Sequence, residues 1–366
     1  MASPFRILLT GNMGYVGPGV VQHLRQVFPQ AELIGYDLGL FAHCLTGAGR
    51  LPEARLTCQE FGDVRQVPAA LLASVDAVVH LAAISNDPMG TAYEDVTMAI
   101  NHRAGIELAR QAKAAGVRAF VFASSCSIYG MGGEDAKTET SGVNPLTAYA
   151  RSKVASEHDL APLADDGFVV TCLRFATACG WSDRLRLDLV LNDFVASAVA
   201  TGEISILSDG TPWRPLIHVR DMARAIEWAL GRAASNGGQF LAVNTGSAAW
   251  NYRVRELAEA VAAALPGTHV RVNPAAAPDL RSYRVDFSLF ARLAPGHQPR
   301  YSLADTIAEL HEQLLAMGFH DPNFRTSHLM RLRVLATLRA QGALTEQLTW
   351  ADASSLAPTP LAAAVA

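Results

Sequence analysis

Apolar residues in the first half of the chain fall into five short blocks: FRILLTG (5–11), ELIGYD (32–37), DAVVHLAA (76–83), AFVFASS (119–125) and FVVTCLRF (168–175). None exceeds eight residues, and each is nearly continuous in hydrophobicity rather than alternating with polar positions. Strands buried on both faces of a parallel sheet carry that pattern. Between the blocks lie helical segments: VVQHLRQVF (20–28), NHRAGIELARQAKAAG (101–116) and AYARSKVASEHDLAPLADDG (148–167). Strand-like blocks alternating with helical ones predict a doubly wound α/β fold of the Rossmann type.

After about residue 180 the pattern loosens. RLRLDLVLNDFVASAVATG (184–202) reads as a helix, ISILSDG (204–210) as a strand and RDMARAIEWALGRA (220–233) as an amphipathic helix. Further helices are expected over Val254–Ala264, 303–317 and 326–341. The expected division is a dinucleotide-binding domain over 1–180 that also receives parts of 205–246. A smaller, interleaved substrate lobe then takes 181–204 and 247–342. The tail 351–366, with two Pro and one charge, reads as disordered.

Composition narrows the class. Half of the 366 residues are hydrophobic, yet no apolar run reaches the roughly 18 to 20 residues of a membrane span. MASPFRILLTG lacks a basic region, an apolar core and a cleavage site, so no secretory signal is expected and a cytoplasmic location is. A net charge of −4 with no basic block argues against nucleic acid as a ligand. Cys44, Cys58, Cys126, Cys172 and Cys179 are odd in number and form no C-x-x-C pair, which fits reduced thiols. The eleven histidines show no ligand spacing, and no metal is expected.

The first strand runs into TGNMGYVG, with Gly11, Gly14 and Gly17 spaced G-x-x-G-x-x-G and Asn12, Met13, Tyr15 and Val16 between them. Following a strand and opening a helix, this spacing is the context of a dinucleotide turn. Gly11 permits the tight turn, Gly14 lets backbone approach a pyrophosphate, and Gly17 lets the helix pack on the strand. The phosphates then meet free N–H groups at the helix N-terminus. Asp37 ends the second strand about twenty residues beyond the last glycine, where a carboxylate accepts from the ribose 2′-OH and repels a 2′-phosphate. No Arg follows it within ten residues, so NAD is expected rather than NADP. Asp63, followed by Val64, is placed to receive the adenine amino group.

TGNMGYVG, HLAA (80–83), SSCSIYG (124–130) and the pair Tyr149 and Lys153 in Y-x-x-x-K together resemble the extended short-chain dehydrogenase/reductase family. The nearest branch is its NAD-dependent nucleotide-sugar epimerases and dehydratases, and the resemblance runs over residues 5–315. It implies that Ser125 hydrogen-bonds the reacting sugar oxygen, that Tyr149 is the general base, and that Lys153 favours its phenolate and holds the nicotinamide ribose. A phenol of pKa near 10 needs such help at neutral pH. Leu81, Ala82, Ala83 and Asn101 are implied beside the cofactor. Ser85, Asn86, Cys126, Ser127, Thr177, Asn192, Arg214 and Arg281 are implied at the substrate, the last two as diphosphate clamps, with Arg284 competing for the second of these roles.

Departures from the family pattern matter as much. Family 4,6-dehydratases carry Asp-Glu where this chain has Cys126 and Ser127, which disfavours that reaction. Thr177 stands where the family commonly has Asn, and Pro215 where it often has Asp. Arg184 and Arg186 in SDRLRLDL are unusual. The expected activity is therefore NAD-dependent epimerisation of a nucleotide-diphosphate sugar, most readily at C4 through a 4-keto intermediate. The alternatives are a ketoreductase or dehydrogenase of a deoxysugar nucleotide and, further off, a 4,6-dehydratase or a non-catalytic dinucleotide sensor. Apolar residues around much of two helices (Ile100, Ala104, Ile106, Leu108 and Ala112; Val154, Ala155, Leu160 and Leu163) predict a homodimer, as the resemblance also implies.

Overall fold

The structure, a computed structural model, describes residues 5–85, 87–273, 276, 279 and 281–351. Asn86 and the tail from 352 onward lie outside the described residues, so the expectations for them have no counterpart here.

The strands in chain order are β1 Arg6–Thr10, β2 Glu32–Asp37, β3 Cys58–Phe61, β4 Ala77–His80, β5 Ala119–Ser125, β6 Val169–Phe175, β7 Thr177–Cys179, β8 Glu203–Ile206, β9 Trp213–His218, β10 Phe240–Thr245, β11 Asn251–Arg253 and β12 His269–Val272. Seven of them form one parallel sheet in the order β10-β6-β5-β4-β1-β2-β3. The central strands are nearly devoid of exposed residues, as the unbroken apolar blocks require. Chain order reverses between β1 and β4, and a crevice opens at the carboxyl ends of strands beside such a switch point. Thr10 pairs with His80 there, so the glycine turn and the loop after β4 start side by side.

The second lobe is built from β11-β9-β7 and from β12-β8, with helices Val190–Thr201, Val254–Ala264 and Leu303–Ala316 packed together. The chain re-enters the main sheet through helix Val219–Leu230, which packs on helix Gly17–Val27, and through β10. β10 is not among the expected strands: FLAVNT carries a short apolar run that ends in Asn244 and Thr245.

Three local expectations are corrected. The helix expected from Arg184 begins at Val190. RLRLDL instead forms turns and bends in which Arg184, Leu185, Arg186 and Leu187 are all buried, the two arginines paired with Glu53 and Asp188. The helix expected over 101–116 opens with a π-helical stretch, Met98–Ala104, before Gly105–Ala114. Finally, Ile100, Ala104, Ile106, Leu108, Ala112 and Leu160 are buried within the protomer, and Arg103, Glu107, Arg110, Arg151 and His158 face outward. Most of the apolar surplus that pointed to a dimer is therefore absorbed by the chain's own core, while Val154, Ala155 and Leu163 stay partly exposed. No helix among the described residues is long and apolar enough to cross a membrane.

Candidate active site

A cleft of about 1020 Å³ runs from the glycine turn, past the ends of β4 and β5, to the second lobe. At its first end, Gly11 adopts φ +76°, and a Cβ there would lie 2.4 Å from the backbone nitrogen of Ala82. Gly14 is open by contrast, with only the carbonyl of Gly11 at 3.3 Å from such a Cβ. Backbone amides at the start of helix Gly17–Val27, whose N-cap Val16 offers no side-chain cap, complete a cradle for phosphate. Gly17 serves differently from the expectation: a Cβ there would meet the carbonyl of Asn12 at 1.9 Å, so it lets the turn close on itself, not on the strand.

Gly11, Gly14, Tyr15 and Val16 line the cleft, while Asn12, Met13 and Gly17 stand behind it. Asn12 donates to Gln59 at 2.6 Å, and the amide of Met13 donates to Asp37 at 3.0 Å. Asp37 accepts from Gly39 as well, at 2.8 Å, and still presents unused lone pairs to the cleft. Burial pushes its carboxyl up, and the two amides pull it back. Asp63 and Val64 also line the wall, but the Asp63 carboxylate is gripped by the Arg65 guanidinium and caps the turn through Arg65 N at 2.9 Å. It faces a ligand as half of an ion pair, not as the free acceptor expected for adenine.

Leu81, Ala82, Ala83 and Ser85 follow β4 along the cleft floor. Asn101 lies behind them, fully buried. Its side chain accepts from Ile84 N at 2.8 Å and donates to Ile84 O at 2.9 Å and to Ser152 at 3.1 Å. It pins the loop and does not touch the cavity.

Ser125 ends β5, and its Oγ accepts from Ser127 N at 3.1 Å. Opposite stands helix Ala148–Leu160, capped by Thr147 and carrying Tyr149 in its first turn and Lys153 one turn on. All three side chains line the cleft. The Lys153 ammonium donates to Ala123 O at 2.7 Å and lies 5.5 Å from the Tyr149 ring centre. Burial pulls Lys153 down to about 8. Burial also pushes Tyr149 up to about 12, with the neighbouring Ser125 hydroxyl opposing and Asp87 adding. The pair is thus brought together as expected, but within the bare chain desolvation outweighs any tuning of the phenol by the lysine.

The substrate residues divide. Ser127, Thr177, Arg214 and Arg281 join Ser85 and Ser125 on the wall. The Ser127 hydroxyl is buried without a hydrogen-bond partner among the described residues. Cys126 is turned away and donates to Arg174 O at 3.0 Å, and burial pushes its thiol up. Asn192 is likewise removed from the site. It accepts from Gly180 N at 3.0 Å and donates to Tyr15 at 3.0 Å and to Arg186 O at 2.9 Å, so its capacity is spent on structure.

Sequence reasoning missed the acidic partners of the arginines. Asp279 holds Arg214 at 2.7 Å and Arg281 at 2.9 Å. Asp87 accepts from Arg281 at 2.9 Å and from Thr147 at 2.6 Å, which links the arginine cluster to the cap of the helix carrying Tyr149 and Lys153. Arg186 pairs with Asp188 at 2.8 Å and donates to Ser85 at 2.8 Å, while Arg184 leaves the site for Glu53. The oddness of SDRLRLDL was the only advance signal for Arg186. Nothing marked Arg325, Met330 and Arg331, which reach the wall from beyond the resemblance.

Residues 7–246 match the NAD dependent epimerase/dehydratase family. A UDP-glucose 4-epimerase of Mycolicibacterium smegmatis is 31% identical over 311 residues, covering 83% of this chain and 96% of that protein. Among solved structures, a UDP-glucose 4-epimerase from Stenotrophomonas maltophila with bound NAD and formylated UDP-arabinopyranose superposes with a TM-score of 0.72 at 25% identity, over 86% of this chain and 99% of that one. A dTDP-glucose 4,6-dehydratase from Streptomyces venezuelae, also with NAD, gives 0.69 at 27% identity over 87% and 99%.

Proposed function

The chain belongs to the NAD-dependent epimerase/dehydratase family, and we propose that it epimerises a nucleotide-diphosphate sugar at C4. NAD is its cofactor, and the glycine turn fits it: Gly11 lets the turn lie against Ala82, Gly14 leaves open space for a diphosphate, and Asp37 on the cleft wall is the acceptor we assign to the ribose. When bound, NAD supplies a hydride acceptor that gives the hydride back.

The protein's own part is proton handling and orientation. Tyr149 takes the proton from the C4 hydroxyl and returns it. Ser125 hydrogen-bonds the same oxygen as alcohol and as ketone. Lys153 is the chain's own positive charge beside the phenol; even with it in place, burial pushes Tyr149 up to about 12, so the phenol keeps its proton until substrate and cofactor fill the cleft. Arg214 and Arg281 receive the diphosphate, and Ser127 offers its unpartnered hydroxyl to the sugar.

The observation carrying the reading is the convergence of Ser125, Tyr149 and Lys153 on one cleft whose Ser125 is followed by no carboxylic acid. Dehydration would need a proton carrier there. The carboxylate electrostatically coupled to Tyr149 is Asp87, and it is already held by Thr147 and Arg281. Incubation with UDP-, dTDP-, GDP- and CDP-sugars, with products resolved by chromatography and mass spectrometry, tests the proposal. A product of unchanged mass supports it; loss of water, or net gain or loss of two hydrogens, overturns it. We also propose a two-fold dimer through the helices Gly105–Ala114 and Ala148–Leu160, now with a polar interface. Sedimentation as a single species of 39.0 kDa at micromolar concentration would refute it.

A further inference from the structure

The matched family segment ends at residue 246, yet the far C-terminal part of the chain reaches back to the cofactor end of the cleft. Helix Arg331–Ala340 and the turn after it bury Leu335, Leu344 and Leu348 in a small core separate from the main one. Their partners there include Leu40, Ile84 and Ile100, whose other faces line the cleft. The stretch is also tied down by polar contacts. Trp350 Nε1 donates to Leu38 O at 2.7 Å, Arg65 donates to Gln347 O at 2.8 Å, and Leu187 N donates to Leu329 O at 3.0 Å.

Two of those ties fall on the loops that border the dinucleotide, Leu38 just after Asp37 and Arg65 just after Asp63. Arg331 adds charge. Its side chain is almost fully buried and forms part of the cleft wall. It donates only to carbonyls, of His328, Arg184 and Leu185, and leans on the Phe41 ring at 5.3 Å. Among the described residues it has no carboxylate within ion-pair distance, and its Nε has no partner. Burial pulls it down to about 10, the sign of a cation kept where water is scarce. A buried cation of that kind is relieved by an anion.

We propose that residues 324–351 form a clasp that retains the dinucleotide, with Arg331 as a counter-charge to its diphosphate. The adenosine end then leaves only when the clasp lifts from Leu38 and Arg65. Retention suits an enzyme that regenerates its cofactor within each turnover, but the clasp requires dinucleotide binding alone, whichever sugar or carbon reacts.

The test is the release of NADH from the holoprotein, followed by fluorescence after mixing with excess NAD. Leu335→Ala opens a cavity in the clasp core and is expected to release NADH at least about tenfold faster. Trp350→Phe removes only the indole donor from a half-exposed ring, and about threefold to tenfold faster release is expected. Should Leu335→Ala fail to fold, Trp350→Phe decides alone. Arg331→Gln keeps donors but loses charge, so it should weaken NADH binding and flatten its salt dependence. Release within about twofold of the wild type in the folded clasp variants overturns the proposal. A wild type that binds no NADH overturns the cofactor assignment along with it.

Discussion

Lys153 sits almost fully buried, with one carbonyl and two aromatic faces for company, so Lys153→Met is expected to stabilise the cofactor-free fold while abolishing turnover. The size comes from the lowered pKa. A fall from 10.5 to about 8 corresponds to about 3 kcal/mol, at roughly 1.4 kcal/mol per pH unit, that the folded state forgoes by keeping this ammonium charged at pH 7. Methionine has similar length and no charge; it forfeits the hydrogen bond to Ala123 O, worth about 1 kcal/mol. The net expectation is a gain of about 2 kcal/mol. Its pH dependence is the sharper test. Between pH 8 and 10.5 the unfolded chain binds the lysine proton and the folded chain does not, so wild-type stability rises through that window relative to the variant. The variant's advantage is therefore fullest below pH 8, vanishes between about pH 9.5 and 10.5, and above that gives way to a deficit of about 1 kcal/mol from the lost hydrogen bond. Chemical unfolding of both cofactor-free proteins at pH 7, 8.5 and 10 measures it, since groups common to both cancel. A variant less stable than wild type at pH 7, or a difference flat with pH, would refute the reasoning.

Tyr149→Phe should cut turnover by about 10²–10⁴ while bound NAD, measured by absorbance after release, stays near wild-type content. Near-full activity would remove the phenol from the mechanism. Asp37→Ala should weaken NAD and narrow its lead over NADP in parallel titrations, because both an acceptor and a repulsive charge are lost. Asn192→Ala and Ser127→Ala separate structure from substrate contact. The first should lower unfolding stability by about 2–3 kcal/mol with KM nearly unchanged, and the second should raise KM with stability nearly unchanged. The opposite pattern would reverse their placement.

The parallel sheet was legible because strands buried on both faces leave an unmistakable apolar block, and β2 and β5 begin and end where ELIGYD and AFVFASS do. RLRLDL was misjudged on the same kind of pattern. Its leucines extend the apolar pattern of the helix Val190–Thr201 backwards, and nothing in that pattern shows that Arg184 and Arg186 are held in buried turns by Glu53 and Asp188. The apolar ground for a dimer failed for a related reason. Apolar residues around a helix show that it is covered, not what covers it, and here the chain itself covers Ile100, Ile106 and Leu108.

The site divides along the same physical line. Backbone-determined features were readable: Gly11 must be small where the turn lies against Ala82, Gly14 where a ligand can approach, and Tyr149 and Lys153 share a helix face by spacing alone. Side-chain partnerships were not, because Asn192 and Cys126 sit beside substrate-facing neighbours and yet point into the protein. A rotamer decides that, and sequence spacing does not constrain it. The pairing of Arg214 and Arg281 with Asp279 carries an energetic consequence for substrate binding. Each guanidinium already has a carboxylate within 2.9 Å, so an incoming diphosphate gains only by taking over bonds that Asp279 now makes. Such an exchange favours a dianion that can meet both guanidiniums at once over a single-charge competitor, which can replace only one bond of the cluster. In the role proposed for them, Arg214 and Arg281 would therefore select for diphosphate geometry rather than serve as a general sink for negative charge.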